Sequence, residues 1–440
     1  MALLAYLPRF REAARQLSVL ESRESWTREQ IAAYQLERLN ALWAGAIQCV
    51  PYYRSLRKER GLPEAFGSLE EYQACVPILS KQTIAPNPQQ FLAAGAPAGE
   101  WHRTSGSTGA PLRVFRSHRD HREMLRARYR FYSLWGVEIF DRVAWVWTSQ
   151  QARAPGWKGL FQRTRNQVRD HLRKRLWIPA DRLGENDLSA HLRRIEQFRP
   201  RGMYGFSRAV HLLASKAEED GFRCNSLRAV FLTGEAAPAY LVAAVQRAFQ
   251  APAVLEYGSV DCGFIAGEWP DHTLRVREDL VILETSPRED GLFDILVTPL
   301  TNSAFPMLRY KIGDLSQAPL HYPDRGFAIL AGVAGRNDDL LRTSTGSYVH
   351  AACIDEVFEL EYDAWVRRYR VHQDARGEVT AQIEFARPAP ADTLARLEQH
   401  LSSILGGQPV HVEAVARIPQ TAAGKHRLVT SELRPECESR

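Results

Sequence analysis

Apolar positions in the first hundred residues recur every three or four residues. Ile31, Tyr34, Leu39, Leu42 and Ile47 fall on one side of a helix that Thr27 can cap. Pro51 stops that helix, and Pro63, Pro77, Pro86 and Pro88 cut the chain beyond it into short pieces. From about residue 100 the pattern changes. Val143–Thr148, Ala229–Thr233 and Ala253–Tyr257 are short runs rich in apolar or β-branched residues, and each predicts a strand. Ala239–Phe249, between the last two, predicts a helix. Strand, helix, strand with short links is the pattern of a doubly wound α/β sheet. Leu280–Thr285 and Phe293–Pro299 predict a hairpin around Asp290-Gly291. Near the end, Val379–Phe385 and His411–Ile418 predict strands and Leu394–Leu405 the helix between them, a separate small α+β unit. The expected organisation is a large α/β domain with mixed or doubly wound sheets over residues 1–335, its first hundred residues mainly helical, and a small C-terminal α+β domain over 336–440.

Composition adds limits. A chain of 440 residues with 45% hydrophobic and 25% charged residues is ordinary for a globular protein with two or three domains. No run of about 18 apolar residues predicts a membrane span, and Met1–Arg11 lacks the pattern of a cleaved leader. The cysteines at 49, 75, 224, 262, 353 and 437 form no C-x-x-C pair, so neither a zinc site nor a disulfide framework is signalled. A reducing cytoplasm is the expected location, with no membrane partner. The net charge of +6 is too weak a signal to predict nucleic-acid binding without a recognition motif. The densest basic stretch, Arg153–Arg175, holds eight Lys or Arg against Asp170 alone. Phe161, Val168, Leu172 and Leu176 recur there at near-helical spacing, which predicts an amphipathic helix with a basic face. Such a face is either simply solvated or a landing site for coenzyme A phosphates or an acidic carrier protein.

Several motifs carry candidate chemistry. In Thr104-Ser105-Gly106-Ser107-Thr108-Gly109-Ala110-Pro111, hydroxyl side chains surround glycines that let the backbone curl, so N–H and O–H donors can face phosphate oxygens. No Gly-Lys-Ser/Thr closes it, so it is not a P-loop. Thr233-Gly234-Glu235-Ala236 and Tyr257-Gly258-Ser259-Val260-Asp261 come directly after predicted strands, where open α/β sheets bind ligands. Arg309-Tyr310-Lys311-Ile312-Gly313-Asp314 ends in a carboxylate able to accept two hydrogen bonds side by side. Gly335-Arg336-Asn337-Asp338-Asp339 lies at the predicted domain boundary, and Pro419-Gln420-Thr421-Ala422-Ala423-Gly424-Lys425 lies near the end. Taken singly, each reads as well as a surface loop, a strand-to-helix turn or a polar linker.

Taken together and in this order, the six resemble the acyl-adenylate-forming superfamily, which includes acyl-CoA synthetases, adenylation domains of peptide synthetases and luciferases. The resemblance implies a large adenylate-forming domain and a mobile C-terminal lid. It implies ATP bound by Thr104, Ser105, Gly106, Ser107, Thr108 and Gly109 at its phosphates, by Gly234, Glu235, Ala236, Tyr257, Gly258 and Ser259 around the adenine, and by Asp314 and Arg336 at the ribose. Asp261 stands where the family usually has a Glu that holds Mg²⁺; Glu256 is a nearby rival. Asp338 matches the hinge, and Lys425 the lysine that meets the developing charge at the α-phosphate. The stretch Arg342–Val349 departs from the family pattern. Pro51-Tyr52-Tyr53-Arg54 and Val76-Pro77-Ile78-Leu79-Ser80-Lys81 resemble the phenylacetate–coenzyme A ligase group and its capsule-biosynthesis relatives.

The implied activity is ATP-dependent conversion of a carboxylic acid to acyl-AMP with release of pyrophosphate, followed by transfer to a thiol, coenzyme A first. A carrier-protein thiol, an amine acceptor, or a non-catalytic nucleotide-binding homologue stay open. Tyr204 and Phe206 suit an aryl acid, although core packing explains them equally.

Overall fold

A computed structural model describes residues 8–103, 112–147, 170, 174–179, 185–234, 237–336, 340–344, 348–350, 354, 357–358, 362, 365–418 and 429–433. The chain divides into two compact units. One comprises Met1–Ile312 and Ser316–Val333, the other Gly313–Leu315 and Ala334–Arg440.

In the first unit, helices α1 (Pro8–Arg23), α2 (Arg28–Cys49), α3 (Pro51–Arg60), α4 (Leu69–Cys75) and α5 (Lys81–Ile84) precede the first strand. The α2 start is set by a capping box: the Thr27 hydroxyl accepts from the Gln30 N–H and the Gln30 side chain accepts from the Thr27 N–H. Pro51 opens α3 at the position where its missing N–H costs nothing. Strands β1 (Gly99–Arg103) and β2 (Arg113–Ser117) then pair antiparallel, Arg103 opposite Arg113. Helix α6 (His118–Ser133) is next, with Ser117 as its N-cap.

A seven-stranded sheet comes after α6. It is built from β3 (Val143–Trp147), β4 (Arg175–Pro179), β5 (Gly202–Phe206), β6 (Ala229–Thr233), β7 (Ala253–Ser259), β8 (Gly263–Glu268) and β9 (Leu274–Val276), in the order β4-β3-β5-β6-β7-β8-β9. The first five are parallel and the last two antiparallel, so the sheet is mixed. Helices α7 (Glu185–Phe198), α8 (Ser207–Glu219) and α9 (Ala239–Phe249) connect the parallel strands. Alternate residues serve opposite faces. Ala144, Val146, Met203, Val230 and Leu232 pack with α7–α9, while Val143, Tyr204, Ala229 and Phe231 join the core that holds Phe131 and Tyr132 of α6. Burial on both faces explains why these strands read as unbroken apolar runs.

Strands β10 (Val281–Pro287) and β11 (Phe293–Pro299) form the expected hairpin, and β12 (Tyr310–Ser316) belongs to the same sheet. Both N-terminal motifs brace the start of β12. The Tyr53 hydroxyl donates to the Pro306 carbonyl (3.0 Å) and accepts from the Leu308 N–H (3.1 Å). Leu79 exchanges backbone bonds with Arg309 and Lys311 (3.1 and 2.8 Å). Arg309, at φ +50°, holds Glu284 at 2.9 Å and donates to the Gln73 and Val76 carbonyls.

The second unit includes strand β13 (Val333–Arg336), followed by β14 (Leu340–Arg342) paired with β15 (Tyr348–His350). A four-stranded sheet is built from β16 (Val366–Gln373), β17 (Val379–Phe385), β18 (Val410–Ala414) and β19 (Val429–Ser431), in the order β18-β17-β16-β19. Helix α10 (Thr393–Ile404) contributes Leu397 and Leu401 to a core with Val371, Ala381, Ile383 and Val410.

One sequence expectation is corrected. Leu176, read as part of a basic amphipathic helix, lies on β4, where Arg175–Pro179 pairs in parallel with Val143–Trp147. The β4 residues gain a full ladder beside β3, and that pairing outweighs a helical spacing of apolar residues. The remainder of the stretch, apart from Asp170 and Lys174, lies outside the described residues.

Candidate active site

The carboxyl ends of β3, β5, β6 and β7 share one edge of the sheet, and two of the motifs lie there. Thr233-Gly234 ends β6, and Tyr257, Gly258 and Ser259 end β7. Gly234 has φ +78°, and a Cβ there would stand 2.8 Å from the Phe206 ring. A side chain at 234 is therefore excluded twice, by backbone conformation and by that ring. Gly258 sits at a register shift between β7 and β8, and a Cβ there would meet the Gly263 carbonyl oxygen at 2.4 Å.

The turn from β7 to β8 positions Asp261. The Ser259 hydroxyl accepts from the Cys262 N–H (2.9 Å), which tightens the turn from within. Asp261 is 6% exposed and accepts a 3.0 Å hydrogen bond from the Tyr310 hydroxyl at Oδ2. Arg116, on the return strand of the β1–β2 hairpin, donates from Nη2 to the carbonyls of Val260 (2.9 Å) and Asp261 (3.3 Å). The hairpin that flanks residues 104–111 is thereby tied to the Asp261 turn. Beside it lies a small recess lined by Arg116, Asp120, Asp261, Thr301 and Asn302.

Glu256 is excluded as the metal-binding rival. It is 4% exposed, its carboxylate lies 2.8 Å from Arg128 Nη2, and it accepts from the Tyr204 hydroxyl at 3.2 Å. Burial pushes the Glu256 carboxyl up, and Arg128 opposes that shift. Burial likewise works against the Arg128 charge, but Glu256, Tyr204 and Tyr132 together more than offset it, and the guanidinium pKa is raised. Asp120 is also engaged, since it accepts from Ser117 Oγ at 2.6 Å inside the α6 cap. Among the described residues at this edge, Asp261, bonded to the neutral Tyr310 hydroxyl, is a candidate carboxylate for a cation. One carboxylate fits Mg²⁺, which keeps waters and takes further oxygens from phosphates. Among the described residues no cluster of three or more His, Cys, Asp or Glu offers an all-protein cage.

Aromatic rings form a wall beside this edge. Trp147 stacks on Phe206 with centroids 3.9 Å apart and 14° between planes. Trp147 also stacks on Tyr204 at 5.5 Å, and Trp145 lies against Tyr204 at 4.6 Å. Behind the wall, Tyr204 is fixed by Glu256 and has the Arg128 guanidinium 5.3 Å from its ring centroid. Burial raises the Tyr204 pKa, and Arg128 opposes the shift. Such a wall offers π-faces to a planar group and is held rigid by a buried ion pair.

Of the predicted residues, Gly234, Tyr257, Gly258, Ser259 and Asp261 therefore share one edge. Asp314 is 7% exposed on β12. Arg336 closes β13. Thr104, Ser105, Gly106, Ser107, Thr108, Gly109, Glu235, Ala236, Asp338 and Lys425 lie outside the described residues. Sequence reasoning missed Arg116 and the Arg128–Glu256 pair. A charged residue inside the β2 apolar pattern and another inside an amphipathic helix were the signals available.

No protein-family model matches the chain. Protein CapK of Staphylococcus aureus is 21% identical over 257 residues, which is 57% of each protein, so the match spans little more than half of that relative. A crystal structure of 2-hydroxyisobutyryl-CoA ligase, in the postadenylation state with an acyl-AMP, superposes with a TM-score of 0.72 at 19% identity, covering 93% of this chain and 91% of that one. An amide bond synthetase of Marinactinospora thermotolerans superposes with a TM-score of 0.50 at 19% identity over 74% of this chain and 66% of its own. The fold is that of the acyl-adenylate-forming enzymes, with a large domain and a smaller C-terminal one.

Proposed function

We propose that this chain, with the fold of an acyl-adenylate-forming enzyme, activates a carboxylic acid with ATP and passes the acyl group to a thiol. One arrangement supports the reading most strongly. Gly234, Tyr257 and Asp261 stand at the carboxyl ends of adjacent parallel strands, and Asp261 is buried and bonded to Tyr310.

In the first half-reaction a carboxylate oxygen attacks the α-phosphorus of ATP. The bond to the β-phosphate oxygen breaks, and pyrophosphate leaves. Positioning and charge stabilisation account for the catalysis. Thr104–Gly109 would supply donors to the β- and γ-phosphates. Asp261 would hold Mg²⁺, which when bound offsets charge on the leaving pyrophosphate. Glu235, Ala236 and Tyr257 would border the adenine, and Asp314 and Arg336 would fix the ribose. Lys425 would neutralise charge at the reacting oxygen. Asp338, which matches the family's hinge position, is the proposed pivot for ligand-dependent closure.

In the second half-reaction a thiolate attacks the acyl carbon and AMP leaves. Coenzyme A is the first candidate, because 2-hydroxyisobutyryl-CoA ligase is named for that product. A carrier-protein thiol or an amine remain alternatives, the latter because an amide bond synthetase shares the fold. The Trp147–Phe206 wall favours a planar acid, in keeping with the resemblance to phenylacetate–coenzyme A ligases. A cytoplasmic location goes with this chemistry.

ATP–pyrophosphate exchange across a panel of aryl, short-chain and amino acids tests the first half. AMP release dependent on coenzyme A, a phosphopantetheinyl carrier or an amine tests the second. A non-catalytic nucleotide-binding homologue would bind ATP and show no exchange with any acid.

A further inference from the structure

The opposite edge of the same sheet carries a row of cations. Backbone bonds run from Val143 N–H to the Lys174 carbonyl (3.1 Å), from Arg201 N–H to the Arg142 carbonyl (2.8 Å) and from Arg228 N–H to the Arg201 carbonyl (2.7 Å). Lys174, Arg142, Arg201 and Arg228 are therefore neighbouring rungs, each standing immediately before its strand in the order β4-β3-β5-β6. Strand spacing puts about 14 Å between the first and the last. All four residues are exposed. Among the described residues none of them forms an ion pair, whereas Arg128, Arg277 and Arg309 elsewhere in the unit are all paired.

Two features enlarge the row. Arg199, also exposed, precedes β5 by three residues. Phe140, 36% exposed, lies beside Lys174, whose ammonium donates to its carbonyl (3.1 Å). Of the nearby acids, Glu138 is exposed, Asp141 accepts from the Glu138 N–H at 2.9 Å, and Glu218, Glu219 and Asp220 at the end of α8 are paired with Arg247 and Lys216. The carboxyl ends of α7 and α8 precede β5 and β6 at this edge, so part of the cationic charge complements helix dipoles. Four guanidinium or ammonium groups on adjacent rungs exceed what two helix ends require.

We propose that this edge docks on an anionic lipid surface. Clustered Lys and Arg are drawn to anionic headgroups, and an exposed aromatic ring beside them suits the interface. The placement also matters. The row lies at the amino ends of the strands whose carboxyl ends carry Gly234, Tyr257 and Asp261, so attachment here leaves the candidate active site facing away from the surface. An acyl-accepting carrier protein is a poorer occupant, since a thiol brought to this edge would be a strand length or more from Asp261.

The probe is sedimentation of the full chain with vesicles of 70% phosphatidylcholine and 30% phosphatidylserine at 0.1 M salt. Binding is expected, with loss in 0.5 M salt and on pure phosphatidylcholine. Arg142→Gln, Arg201→Gln and Arg228→Gln should each weaken it about five-fold, and the triple variant about a hundred-fold. Arg54→Gln/Lys58→Gln/Arg60→Gln on α3 removes the same charge and should weaken it far less. Thermal melting checks that each protein is folded, and the single Arg201→Gln variant serves if the triple is not. Equal loss in the two triple variants, or no binding by the parent chain, overturns the proposal. Binding to soluble polyglutamate but not to vesicles overturns it in favour of an acidic protein partner. None of these outcomes depends on the adenylation reaction.

Discussion

The Tyr310 hydroxyl donates a 3.0 Å hydrogen bond to Oδ2 of Asp261, joining positions 49 residues apart. Two motifs that resemble separate parts of a nucleotide site are thereby fixed to each other inside the first unit. Asp261→Asn keeps the shape but removes the charge, and should lower pyrophosphate exchange by about a hundred-fold or more. Tyr310→Phe keeps the carboxylate and loses its donor. It should retain more exchange than Asp261→Asn while costing about 1.5–3 kcal/mol of stability in denaturant titration. Equal exchange in Asp261→Asn and the parent chain would remove Asp261 from the reaction.

Arg128 and Glu256 make a different prediction. Arg128→Met leaves Glu256 buried with its charge uncompensated, and should destabilise the first unit by about 3–5 kcal/mol. Glu256→Gln should lower stability without changing the Mg²⁺ concentration needed for half-maximal exchange. A shift in that requirement would restore Glu256 as a metal ligand.

How much of this was legible depended on the range of the interactions. Ala229–Thr233 and Ala239–Phe249 were readable to the residue, because a strand buried on both faces is an unbroken apolar run and its helix lies between Pro238 and Gln250. Arg175–Pro179 was not, because its strand state comes from β3, which lies far back in the chain. Gly202–Phe206 was noted only as a possible pocket wall; two glycines weaken any strand signal there. Resemblance could place Asp261 and Asp314 in one family of sites. It could not reveal that Arg128 reaches Glu256 across 128 positions, or that Arg116 caps the Asp261 turn, since neither contact leaves a periodic trace.

Gly234 tests the pocket wall. Gly234→Ala forces an alanine to φ +78° and pushes on Phe206, so about 1–2 kcal/mol of stability should be lost. Phe206→Ala instead opens space beside Trp147. In pyrophosphate exchange its preference should move toward bulkier acids, and an unchanged acid profile would place the acyl group elsewhere.

His121 predicts a pH dependence. Burial, then the charges of Arg116 and Arg128, lower its pKa to about 4 although the residue as a whole is exposed. The unfolded chain, near the ordinary value of 6.5, then binds more protons between about pH 6.5 and 4. Stability should fall as pH drops through that window. His121→Gln should flatten this part of a denaturation-midpoint profile, and a slope identical to the parent's would assign it to other groups.

The most direct measurement is carboxylic-acid-dependent ATP–pyrophosphate exchange by the full chain, run beside Lys425→Ala. The proposed reaction predicts exchange with at least one acid, reduced by about a hundred-fold or more in Lys425→Ala while ATP binding persists. ATP binding with no exchange across the whole acid panel, or exchange indifferent to Lys425, would contradict it.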